Sequence, residues 1–311
     1  MRPHNAPCKS NPAHCIEVLT YAEYRDDIRR FADGKYNALL IVGGTGLSKT
    51  ETLKEMLGGK PLHYEGGEPS AFQFHCDLYR HRNEFVILDD LSPKFYRDPI
   101  TNSSMKVLTN TVPVKRMRHP TAALSEDSDP PSDFTTTSKV IVLTNSWEST
   151  SEHIRAIEGR FFSLVFRPTP TEVHYEVGRR GWFTDQEVYD FVWEHRGAIT
   201  MPDMRLYTKL VEQKKAGANW RERGMRMILG SDKMREVYKL LVDESLPSTL
   251  AKCRKFVELG LGGRTQFYEL YRQFNYYTAA DPTQPPPLLK DFQNRRIIGQ
   301  GMPVQCSVVR T

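Results

Sequence analysis

The stretch Leu39-Leu40-Ile41-Val42-Gly43-Gly44-Thr45-Gly46-Leu47-Ser48-Lys49-Thr50 constrains this chain more than any other. Four apolar residues run into a glycine-rich turn, and a Lys-Thr pair opens a stretch of helical periodicity. A short apolar run bounded by glycine reads as a buried strand. The glycines let the backbone curl so that several N–H groups face one anion, and the following helix adds its N-terminal dipole. The sequence therefore predicts a phosphate-binding loop made of Gly43, Gly44, Thr45, Gly46, Leu47, Ser48, Lys49 and Thr50. In that reading Lys49 reaches the outer phosphates of ATP and the Thr50 hydroxyl holds Mg²⁺. One position departs from the G-x-x-x-x-G-K-[ST] pattern. Ser48 stands where the second glycine is expected, so a Cβ sits where backbone approaches phosphate. The alternative is a glycine-rich turn that joins a strand to a helix and binds nothing.

A second apolar run, Phe85-Val86-Ile87-Leu88, ends in Asp89-Asp90. A continuous apolar run reads as a parallel strand buried on both faces, and ligands gather at the C-terminal ends of such strands. Asp89 is placed to orient Mg²⁺ and Asp90 to position or polarise an attacking water. The plainer reading is an Asp pair that forms a turn and caps the next helix. A third run, Lys139 to Leu143, ends in Thr144-Asn145. The Asn145 amide can hold the water or the γ-phosphate. Further on, Arg160 precedes a last apolar run to Phe166. It is a candidate arginine finger for a neighbouring subunit, or a surface ion-pair residue.

Between the second and third runs lies Val112 to Arg118, a strand-like piece crowded with cations. An acidic stretch, Ala122 to Phe134, follows and reads as a mobile loop. Together they suggest a projecting hairpin, with Lys115, Arg116 and Arg118 on nucleic-acid phosphates. An edge strand protected by charge is the equal alternative.

Phosphate loop, Asp-Asp, basic hairpin with Thr-Asn, and Arg before a strand stand in that order. This arrangement resembles the core of AAA+ ATPases. Its compact layout is similar to superfamily 3 helicases of viruses and mobile elements, and bacterial ATPases with an F-T-T-T-S-[KR]-V stretch, here Phe134 to Val140, resemble it too. The resemblance covers Tyr36 to Phe166. It implies a three-layer α/β fold with a parallel sheet, a nucleotide at a subunit interface, and often a ring. Lys49, Thr50, Asp89, Asp90, Asn145 and Arg160 match its functional places. Ser48 does not, and Asp90 stands where such proteins commonly carry Glu.

The second half reads as helical. Trp182 to His195 looks like a helix with Thr184 as N-cap and Glu187 closing a capping box, and Pro202 to Gly217 opens another. The stretch from Arg205 to Lys239 holds ten Lys/Arg against four Asp/Glu, which a solvated helix face explains as readily as DNA does. Leu250 to Phe274 has the outline of two helices around a Gly-bearing turn, a loose helix-turn-helix. Arg264, Thr265, Gln266 and Arg272 would then face the major groove of DNA. The expected organisation is a tail over 1–16, an ATPase core over 17–172, a helical lid over 173–245, a helix-turn-helix-like segment over 246–277 and a tail over 278–311. Val173 to Arg180 is read as a bridging stretch.

Composition limits the rest. The 311 residues carry a formal net charge of only +5, so a nucleic-acid footprint has to come from local clusters. Five scattered cysteines without a C-x-x-C suit a reducing cytoplasm. No apolar run approaches a membrane span, and Met1 to Ser10 lacks a secretory core. His4, Cys8, His14 and Cys15 fit no zinc spacing.

Overall fold

Alternation along the apolar runs decides the architecture. The computed structural model describes residues 11–58, 61–120, 129–148, 151–217, 219–278 and 289. Its strands are β1 (Ile16–Val18), β2 (Ala38–Gly43), β3 (Leu62–Glu65), β4 (Phe85–Asp89), β5 (Lys115–Arg118), β6 (Asp133–Thr136), β7 (Lys139–Thr144) and β8 (Phe162–Phe166). Six of them form one all-parallel sheet in the order β1-β8-β2-β7-β4-β3, while β5 and β6 pair antiparallel as a hairpin. Helices cover both faces of the six-stranded sheet, so β2 is buried along its whole length.

The helices of this part are α1 (Tyr21–Ala32), α2 (Lys49–Leu57), α3 (Ala71–Arg80), α4 (Pro93–Arg97), α5 (Pro99–Leu108) and α6 (Glu152–Glu158). Leu40, Val42, Val86, Leu88, Val140 and Val142 face Phe74, Leu78, Met105, Ile154 and Ile157 from α3, α5 and α6. The alternate residues point the other way. On that side Phe85 meets Phe31 of α1 with ring centroids 5.5 Å apart, and α1 packs beside α2.

Several elements differ from expectation. The apolar spacing from Glu17 to Phe31 predicts one helix, yet Ile16–Val18 is an edge strand paired with Leu164–Phe166. That helix begins at Tyr21, because Thr20 and Glu23 close a capping box there. The sequence predicts the end of a short helix at Met105 to Thr109, whereas α5 already starts at Pro99, since Asp98 caps it and Pro99 occupies its first turn. Of the acidic loop after the basic strand, 121–128 lie outside the described residues, and Asp133 and Phe134 belong to β6.

The chain divides into two compact units, Ala6–Arg167 and Pro168–Thr311 together with Met1–Asn5. The second unit is helical: α7 (Pro170–Arg180), α8 (Gln186–Glu194), a short 3₁₀ turn Arg196–Ala198, α9 (Arg205–Lys215), α10 (Trp220–Leu229), α11 (Asp232–Val242), α12 (Thr249–Glu258) and α13 (Arg264–Thr278). Residues 170–180 are thus a helix with Thr169 as N-cap and Pro170 in its first turn, not a bridging stretch. The cap of α8 is Asp185 rather than Thr184. A buried ring cluster holds α7, α8 and α9: His174 stacks on Tyr189 at 3.7 Å, and its Nδ1 pairs with the Tyr207 hydroxyl at 2.9 Å. A separate core of Val237, Leu240, Cys253, Phe256 and Phe267 holds α11 to α13. Of the segment read as a C-terminal tail, Leu289 is buried and its N–H donates to Gln186 Oε1. His4 and Cys8 lie outside the described residues.

Candidate nucleotide site

The loop after β2 is fixed by what lies beneath it. A Cβ on Gly43 would stand 2.8 Å from the Phe166 carbonyl oxygen, so only glycine lets β2 and β8 meet there. Gly46 and Ser48 both take the left-handed conformation, with φ of 68° and 52°. Ser48 is the N-cap of α2 by backbone alone, with no side-chain cap bond. Its carbonyl accepts the Thr52 N–H at 3.0 Å and the Thr52 hydroxyl at 2.9 Å. Leu47 is buried under the loop. From α1, the Tyr21 hydroxyl donates to Leu47 O at 3.0 Å and the Tyr24 hydroxyl to Lys49 O at 3.2 Å. Both rings rest on Phe166, Tyr24 stacked at 4.4 Å and Tyr21 edge-on at 5.0 Å.

Sheet order brings the other strand ends to this loop. β7 lies between β2 and β4, with Val42 level with Thr144 and Leu143 level with Asp89. The residues just past these strands, Asn145 and Asp90, therefore share one rim with Gly43 and Gly44. Lys49 Nζ donates to Gly43 O at 2.6 Å, Gly44 O at 2.7 Å and Asn145 Oδ1 at 3.1 Å. Asn145 Nδ2 donates onward to Asp90 Oδ2 at 3.0 Å. An ammonium on one side and a carboxylate on the other fix which way the amide points. The Asp90 N–H donates to Leu143 O at 2.8 Å, and its backbone is left-handed at φ 56°. Trp147 anchors the turn beyond Asn145, its indole N–H donating to the buried Glu158 at 3.0 Å.

Thr50 and Asp89 form the second half of the site. The Thr50 hydroxyl donates to Asp89 Oδ2 at 2.5 Å. Two hard oxygens side by side, next to a loop suited to phosphates, fit Mg²⁺, which takes one or two protein oxygens and completes its shell with water and phosphate. Among the described residues no group of three or more His, Cys, Asp or Glu gathers as an all-protein metal cage. Tyr96 of α4 is buried nearby. Burial first, then the charges of Asp89 and Asp90, push its phenol up.

Lys49, Thr50, Asp89, Asp90 and Asn145 thus stand together, and Gly43 to Ser48 surround Lys49. Arg160 is not among them. It is exposed before the N-terminal end of β8, the opposite rim of the sheet, and donates to Lys106 O at 2.9 Å. The hairpin corrects one expectation. Lys115 is buried, 2% exposed, because β5 alternates and turns it inward. Its Nζ donates to Ser138 O at 2.5 Å, and burial, helped by Lys139, lowers its pKa to about 8. It faces protein, not a nucleic acid. Arg116 and Arg118 face outward. Arg116 forks onto Asp133 at 2.8 and 2.7 Å through Nε and 2.6 Å through its terminal nitrogen. Arg264, Thr265, Gln266 and Arg272 are exposed on α13, and Arg272 Nε donates to Tyr268 O at 3.1 Å.

Sequence reasoning overlooked Tyr21, Tyr24, Tyr96 and Trp147 as parts of the site. A hydroxyl or ring that meets the loop from another element leaves no trace in local spacing.

No protein-family model matches the sequence, and no curated protein matches it. Among solved structures, a chain of Drosophila ORC bound to DNA is similar at 14% identity with a TM-score of 0.40, over 94% of this chain and 80% of that one. A likeness that loose carries no argument about this chain's chemistry. Among the described residues no helix is long and apolar enough to cross a membrane.

Proposed function

We propose that the Ala6–Arg167 unit binds ATP with Mg²⁺ and hydrolyses it, as an AAA+-like ATPase that acts on DNA. The observation that carries this reading is the run of contacts Lys49–Asn145–Asp90 beside the Thr50–Asp89 pair, all on one rim of a parallel sheet. In the working complex the backbone of Gly43 to Ser48 wraps the phosphates. Lys49 exchanges its two carbonyl partners for phosphate oxygens. Thr50 and Asp89 hold Mg²⁺, whose charge offsets that of the phosphates. Asp90 draws a proton from the attacking water while Asn145 fixes where that water stands. Arg160, on the opposite rim, serves a neighbouring subunit's site in an oligomer such as a ring, so it is idle in a lone chain. Arg116 and Arg118 meet DNA phosphates, and Arg264, Thr265, Gln266 and Arg272 present α13 to a groove.

A second reading, a nucleotide-gated DNA-binding regulator or loader with little turnover, draws support from Asp90. Its carboxylate is shorter than a glutamate and already accepts from Asn145. Three measurements separate the readings: affinity for a fluorescent ATP analogue, steady-state hydrolysis with and without single-stranded DNA, and mass in solution with and without both ligands. An active, DNA-stimulated protein is expected. Lys49→Ala is expected to lose tight binding and hydrolysis. A Lys49→Ala protein that hydrolyses ATP at the unaltered rate refutes the assignment. Binding without turnover favours the regulator.

A further inference from the structure

β3 forms the edge of the sheet beside β4, and its register pairs Glu65 with Asp89. His63, two residues back along the strand, therefore shares Asp89's face of the sheet. Its Nε2 stands 3.6 Å from Asp89 Oδ2, beyond hydrogen-bond reach. That nitrogen is buried and has no hydrogen-bond partner. A buried polar atom left unmatched is destabilising, so its presence calls for an explanation. The adjacent carboxylate provides one. Asp89 Oδ2 has two lone pairs, and the Thr50 hydroxyl occupies one of them at 2.5 Å. The other is open to a donor from the His63 side. A small rotation of either side chain closes the gap to the ~2.9 Å of a charge-assisted bond.

Resting on the nucleotide reading above, we propose that His63 is the positioning residue of its cation site. When Thr50 and Asp89 hold Mg²⁺, His63 Nε2–H donates to Asp89 Oδ2 and fixes the carboxylate plane. Groups that orient metal-binding carboxylates in this way change metal affinity by about 10–100-fold when removed. His63 touches neither phosphate nor water in this arrangement, so its effect is confined to the cation-dependent part of nucleotide binding.

The test uses the full chain with His63→Ala and His63→Gln, each checked for an unchanged thermal transition. A fluorescent, slowly hydrolysed ATP analogue is titrated in EDTA and at increasing Mg²⁺. For His63→Ala, the expected result is about a tenfold rise in the Mg²⁺ needed for half-maximal binding, with the affinity in EDTA unchanged. His63→Gln, whose amide N–H can reach the same oxygen, is expected to recover most of the loss. A His63→Ala protein with the unaltered Mg²⁺ requirement overturns the proposal. So does an equal loss in EDTA, which marks a packing role, and so does a Gln variant as poor as Ala. If the unsubstituted chain binds no nucleotide under either condition, the nucleotide reading itself fails and takes this inference with it. That result is distinct from every outcome that concerns His63.

Discussion

Ser48 bears a cost that its neighbours avoid. A non-glycine residue in the left-handed region is strained by about 1–2 kcal/mol, and glycine returns part of that advantage through the freedom it has when unfolded. Ser48→Gly should therefore raise stability by about 0.5–1 kcal/mol, read as a higher midpoint in urea unfolding. An unchanged or lower midpoint would show that the Ser48 side chain contributes a compensating bond. The departure from the glycine pattern was visible in the sequence, but its backbone geometry was not. Lys49 and Thr50 were legible because they close a glycine-rich loop, and Asp89, Asp90 and Asn145 because each ends or follows an apolar run. Lys115 was misread because a count of cations does not say which face of a strand each one takes. Tyr24 was missed because its hydroxyl acts on a carbonyl 25 residues away.

Among the elements, the junction of β2 and β8 is the tightest part of the site. A methyl added at Gly43 would press on backbone, the Phe166 carbonyl, rather than on a yielding side chain. Gly43→Ala is expected to cost about 1–3 kcal/mol and to displace the loop, so nucleotide affinity and the thermal midpoint should fall together. Loss of affinity with an unchanged midpoint would contradict this account. The long apolar strands were readable because burial on both faces leaves an unbroken signature. β1 was not. It has three residues, of which only Val18 is buried, so nothing marks it as a strand until β8 is beside it. α7 escaped notice for a related reason: His174 and Glu176 are among its buried residues and break up the apolar stripe of Pro170, Val173 and Val177.

For the molecule as a whole, Lys115 sets a dependence on alkali. In the folded chain its ammonium loses its proton near pH 8, against an ordinary value of 10.5. Between those values the unfolded chain binds the extra proton, so this group makes stability rise with pH across that window. Below pH 8 both states are protonated and its contribution is constant. Lys115→Met should lack that rise, so the unfolding free energy of the unaltered chain minus that of the variant, measured from pH 7 to 10, should grow with pH above about 8. A difference that stays flat would place the ammonium in water.

Two residues, Thr137 and Ser138, connect the hairpin to β7, and Asn83 clamps both. Its Oδ1 accepts from the Thr137 N–H and hydroxyl at 2.9 Å each, and its N–H donates to Ser138 Oγ at 3.0 Å. The hairpin is thereby fastened to the tail of the strand whose tip carries Asn145. At ~3.3 Å per residue, β7 is about 20 Å long, with the clamp at one end and Asn145 just past the other. The arginine-bearing arm and the Asn145 beside Lys49 are thus joined through one short strand, with Asn83 clasping the junction.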